Sequence, residues 1–186
     1  MHIGASYSSA EHCLRFAAWA AARASSRGVK GLTNATVREL ISHHPALAVA
    51  TQFNGLPEAG DFDRWHLNIR RDLVATTKLN GDVMLTHGLA AKIINVFLKA
   101  IYLSHFGNEK DPMQRSKLNA IHPPVDRLLL GALGKAYGTH GAAWRHLEHQ
   151  GWKSFAETDY QTAIDGIRQI TAGRLWRIEQ HWNPDP

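Results

Sequence analysis

Thr86-His-Gly-Leu-Ala-Ala-Lys-Ile-Ile-Asn-Val-Phe-Leu-Lys-Ala-Ile-Tyr102 is the stretch whose reading decides the fold. Ile94, Leu98, Ile101 and Tyr102 fall at i, i+4, i+7 and i+8, which makes one apolar stripe on a helix from about His87 to Ser104. Lys92, Asn95 and Lys99 share another face of the same helix. Downstream, Ala120-Ile-His-Pro-Pro-Val-Asp126 is a proline-rich approach to a second helix, Arg127-Leu-Leu-Leu-Gly-Ala-Leu133, with Asp126 at its start. A lysine near one helix start and a carboxylate opening another are the groups that Schiff-base or glycosidic-bond chemistry uses. The expectation is that the rest of the chain holds both at one cleft.

Upstream, Ser8 followed by Glu11 fits a capping box for a helix over about Ser9 to Ser26, and Gly28 stops it. Leu14, Phe16, Ala17, Ala18, Trp19 and Ala21 are assigned to the core, the alanines marking close approach to another helix. Thr36-Val-Arg-Glu39 reads as a second capping box, and Asp61 or Asp63 as the cap of a helix to about Thr76. Arg64, Arg70, Arg71 and Lys78 read as its solvated basic face. Lys78 to Asp82 is a turn, and the polar stretch His105 to Asn119 is an excursion that could close as a flap. After Gly138-Thr-His-Gly141 come a short helix to about Gln150, a capping box at Thr158 to Gln161 opening a helix through Thr171, and a last helix from Arg174 to Trp182. No sustained period-two alternation occurs. The fold class is all-α, about eight helices in two lobes around a cleft. It is one domain, with residues 61–140 as catalytic lobe and 1–60 plus 141–186 as second lobe.

The 186 residues suffice for one well-buried core, and an apolar fraction of 44% with six Trp excludes a disordered chain. The single cysteine, Cys13, excludes an internal disulfide and a four-cysteine cluster, and suits a reducing cytoplasm. No apolar run approaches about 18 residues, so no membrane span or membrane partner is expected. Met1-His-Ile-Gly-Ala-Ser has no basic segment leading an apolar core, so no signal peptide is expected. A net charge of +5 and a pI of about 9.6 fit a polyanionic partner. Twelve histidines invite a metal site. The densest groups are His43-His44 and His140, His146, Glu148 and His149; the second does not match the His-Glu-x-x-His pattern, so no metal and no cofactor are expected, and a metal-dependent hydrolase on that group is a third, lesser reading.

Thr86-His-Gly-Leu-Ala-Ala-Lys-Ile-Ile-Asn95 and Pro123-Pro-Val-Asp126 together resemble the helix-hairpin-helix/GPD superfamily of DNA glycosylases, the endonuclease III-like fold. There a hairpin of the form Leu-Pro-Gly-Val-Gly-x-Lys-x-Ala-Asn opens a helix, and a Gly/Pro-rich loop ends in Val-Asp at a later helix start. Gly88 takes the place of the first hairpin glycine, Lys92 that of the catalytic lysine and Asn95 that of the asparagine. His87 stands where the family has proline, and Ala90 where it has the second glycine. The separation of 34 positions between Lys92 and Asp126 is closer to the cluster-free archaeal 8-oxoguanine glycosylase branch than to endonuclease III. The resemblance covers residues 86 to 133.

What the resemblance implies is a glycosylase with abasic-site lyase activity, acting as a monomer on double-stranded DNA that carries a damaged or modified base, whether the cell's own or foreign. Lys92 would be the nucleophile and Asp126 its partner. His87, Gly88, Ala90, Asn95 and Lys99 would contact the DNA backbone. An everted base needs an aromatic or apolar slot, for which Trp176, Trp182 and Val96 are the candidates, with Trp65 and Trp19 behind them. The rival expectation is an all-α nucleic-acid-binding or protein-interaction module without catalysis.

Overall fold

A computed structural model describes residues 7–80, 83–137 and 141–183 of the chain. At its centre lies α5 (His87–Tyr102), in which eleven of sixteen residues are buried. Burial on nearly every side turns the expected stripe into a helix surrounded by protein. Thr86 caps it, Oγ1 accepting from the Leu89 amide at 3.2 Å.

α1 (Ser9–Ser26) starts and stops where its caps place it, Ser8 Oγ accepting from the Glu11 amide at 3.1 Å. Ala17, Ala18, Ala21 and Ala22 are buried, and these small side chains let α1 lie along α5. Leu14, Phe16 and Trp19 do not join them. They are 39%, 55% and 49% exposed, because Phe16 and Trp19 fall on the side of the helix away from the alanine stripe.

α2 (Asn34–His43) begins earlier than expected. Its cap is Thr33, which accepts from the Thr36 amide at 3.0 Å. α3 (Pro45–Val49) follows directly, proline at its first position. α4 (Phe62–Asn80) runs on through residues 77–80, so the expected turn is helical as far as Asn80; residues 81 and 82 lie outside the described part. On its basic face Arg64 and Arg71 are exposed to solvent, as expected, and among the described side chains only Arg70 departs. Arg71 is held by Glu157, Arg64 pairs with Asp61, and Arg70 is fully buried with its guanidinium 4.3 Å from the Tyr160 ring centre.

The excursion at 105–119 contains α6 (Pro112–Ala120), capped by Asp111 Oδ1 on the Met113 amide at 2.9 Å. α7 (Arg127–Ala136), α8 (Gly141–Gln150) and α9 (Glu157–Thr171) follow, and Leu175–His181 forms a 3₁₀ helix where an α-helix was expected. α9 starts at Glu157, ahead of the Thr158 box, with Asp159 Oδ2 accepting from the Ala156 amide at 2.8 Å. The fold is all-α, without strands among the described residues. One hydrophobic core runs from α1 through α5 to α9. No described helix is long and apolar enough to cross a membrane.

Candidate active site

Lys92 and Asp126 meet. Nζ donates to Asp126 Oδ2 at 2.9 Å, although the residues are 34 apart in sequence. The two side chains are only 7% and 18% exposed. Two turns of physics put the carboxylate there. The Pro123-Pro124 pair stiffens the approach, and Asp126 then caps α7, Oδ1 accepting from the Leu129 amide at 3.0 Å. The positive end of α7 thus faces an anion, typically worth about 0.3–1 kcal/mol. Trp182 Nε1 donates to the same Oδ2 at 3.2 Å, and Lys92 Nζ lies 5.5 Å from the Trp152 ring centre.

Both groups line a cavity of about 300 Å³. Its walls come from three elements: Phe16, Ala20 and Ala24 of α1, Val96 and Ala100 of α5, and Trp182 beyond the 3₁₀ helix. Lys99 and Glu179 also line it, joined as an ion pair. Of the candidates for a base slot, Trp182 and Val96 are at the cavity. Trp176 is not among its lining residues; its indole N–H goes to Asn119 Oδ1 at 3.0 Å and its ring packs on Phe106. Trp65 packs on Phe62.

Behind the ion pair lies a buried polar chain. Asn95, one turn beyond Lys92 and fully buried, donates from Nδ2 to Pro123 O at 2.8 Å and to Tyr160 Oη at 2.9 Å. Its Oδ1 accepts from His66 Nε2 at 2.8 Å, which leaves His66 Nδ1 to accept from Arg70 Nε at 3.2 Å. Tyr160 donates onward to His122 Nδ1 at 3.1 Å, and His122 Nε2 donates to Asp63 Oδ1 at 2.9 Å. Arg168 completes the chain with two 2.8 Å bonds to Asp63. Burial holds His66 and His122 below the ordinary histidine range, so both rings are neutral and each donates from one nitrogen. The hydrogen bond from His122, with Arg168 helping, holds Asp63 down to about 2. The 121–125 loop is therefore pinned at His122 and at Pro123, immediately before the carboxylate it presents.

The expected backbone contacts fare differently. Asn95 and Ala90 are fully buried and cannot touch a phosphate. Gly88 packs beneath residues 152–155: its amide donates to Phe155 O at 3.3 Å, and an added Cβ would stand 1.8 Å from Trp152 O. His87 is largely covered, its Nε2 3.8 Å from Glu157 Oε2. The ammonium of Lys99 goes to Glu179. The backbone around Gly88 is thus covered by this chain's own α8–α9 connection. His140 of the histidine group lies outside the described residues, and among the described ones no three His, Cys, Asp or Glu gather in a metal-holding arrangement.

Sequence reasoning missed the α1 wall and Glu179. The alanine stripe gave no sign of the wall, since it turns Phe16 away from α5; that Phe16, Ala20 and Ala24 reach the cavity depends on how α1 lies against α5 and Trp182. Nothing local marks Glu179. No family model, curated protein or solved structure matches this chain.

Proposed function

We propose that the chain is a DNA glycosylase with abasic-site lyase activity, on a helix-hairpin-helix/GPD-like scaffold, that removes a damaged or modified base from double-stranded DNA. The observation that carries this reading is the 2.9 Å contact between Lys92 Nζ and Asp126 Oδ2 beside an apolar cavity of about 300 Å³. That volume is at the lower end of small-ligand pockets, about 300–1,000 Å³.

In the proposed reaction Asp126 takes a proton from Lys92, and the free amine attacks C1′ of the everted nucleotide. The N–C1′ bond forms as the bond from C1′ to the base breaks; the base leaves with the electron pair and takes up the first proton from Asp126, which restores the carboxylate. Asp126 then accepts the second amine proton and returns it to O4′ as the sugar ring opens, giving the Schiff base. Loss of a C2′ proton expels the 3′ phosphate and nicks the strand. Trp182, donating to Oδ2, orients the carboxylate and offers a face for the base.

The test is base release from a panel of modified-base duplexes. Wild type is expected to release at least one base. Asp126→Asn is expected to lower that rate by about 10²–10⁴ with its circular dichroism unchanged. Full activity in Asp126→Asn would remove the carboxylate from the chemistry and overturn the reading as written; no release from any duplex alongside firm DNA binding would replace it with a non-catalytic DNA-binding module.

A further inference from the structure

If the hairpin amides are covered, the DNA must be held elsewhere, and α1 carries an unused surface beside the cavity. Phe16 and Trp19 are 55% and 49% exposed with ring centres 5.7 Å apart. Phe16 also forms part of the cavity wall with Ala20 and Ala24. Farther along the same side, Arg23 is exposed in the last turn of α1 and Arg27 at its C-cap. Neither guanidinium has a partner among the described residues. Arg15, by contrast, is engaged by Glu11 and lies 4.9 Å from the Tyr7 ring centre. Contiguous exposed rings mark a binding surface. Two uncommitted guanidiniums on the same side select a polyanion over an apolar partner, and aromatic faces interleaved with arginine suit stacked bases and phosphates together.

We infer that the exposed face of α1, Phe16–Trp19–Arg23–Arg27, is the DNA-docking surface: the rings stack on bases next to the everted nucleotide and the two arginines take successive phosphates. This rests on the glycosylase reading for its partner, but its test does not need catalysis.

The experiment measures affinity of the full chain for a duplex carrying one tetrahydrofuran abasic analogue, across a salt series. Arg23→Gln/Arg27→Gln is expected to reduce the slope of log affinity against log salt by about 2, because each lost phosphate contact removes about 0.9. Phe16→Ser and Trp19→Ser are expected to leave the slope alone and weaken binding roughly five- to hundred-fold per ring. All four positions are exposed, so folding is preserved and a thermal melt checks it. Wild-type binding with all variants indistinguishable from it would overturn the inference and leave the glycosylase reading standing. Absence of both wild-type DNA binding and base release would overturn both. Phe16→Ser/Trp19→Ser dissolving a dimer in sedimentation, with DNA affinity unchanged, would make this face a seam between two copies and overturn the inference alone.

Discussion

Both oxygens of Asp126 are committed before any substrate arrives, Oδ1 to the Leu129 amide and Oδ2 to Lys92 and Trp182. The division explains why Asn is the informative replacement. An amide oxygen still caps α7, since Asn and Asp are equally good N-caps, whereas the negative charge facing Lys92 is lost. A fall in base release with helix α7 intact therefore isolates the charge. Asn95 is the residue whose role moved furthest. Matched to a DNA-contacting position, it is fully buried and holds the Pro123 carbonyl instead. Nothing in sequence could reveal this, because its partners Pro123, Tyr160 and His66 are 28 to 65 positions away. The meeting of Lys92 and Asp126 was legible only as a pattern of helix starts; their contact depends on how α5 and α7 pack.

At the level of elements, caps and breakers were read well where the signal is local. α1 runs Ser9–Ser26 because Ser8 opens it and Gly28, at φ +68°, turns the chain out of it. Where caps compete, the choice went astray: Thr33 rather than Thr36 opens α2, because the residue before the helix, not the residue inside it, is free to accept. The buried Arg70 was taken for a surface cation because a helical pattern cannot foresee an aromatic ring such as Tyr160 arriving from α9. At the junction of α5 with the 152–155 segment the two backbones pass so closely at Gly88 that a side chain does not fit. Gly88→Ala is expected to destabilise the protein by about 1–3 kcal/mol or more, since the clash is with backbone and cannot be relieved by a rotamer change. Chemical denaturation measures it; a stability within about 0.5 kcal/mol of wild type would contradict the close packing described.

For the whole molecule, the buried chain from Arg70 to Asp63 ties stability to pH. His66 and His122 titrate below 6.5 in the folded state because burial disfavours their cations. As pH falls through about 6.5 the unfolded chain takes up protons at these rings first, so stability declines from there downward, by at most about 1.4 kcal/mol per pH unit per ring. Asp63 acts in a lower window: its stabilising contribution is complete above about 4 and is lost as pH falls towards about 2. Thermal melts are expected to show a midpoint that is level from about pH 8 to 7, falls from about 6.5 to 5, and drops again below about 4. A midpoint constant between about pH 7 and 5 would contradict neutral buried histidines.

The all-helical class followed from periodicity alone, but the open face of α1 did not, because which side of α1 stays open depends on what covers the others. The most direct measurement of the central claim is borohydride reduction during incubation with an abasic duplex, followed by peptide mapping. The account predicts a covalent DNA adduct on Lys92 and none with Lys92→Gln. An adduct on a different residue, or undiminished trapping by Lys92→Gln, would contradict it.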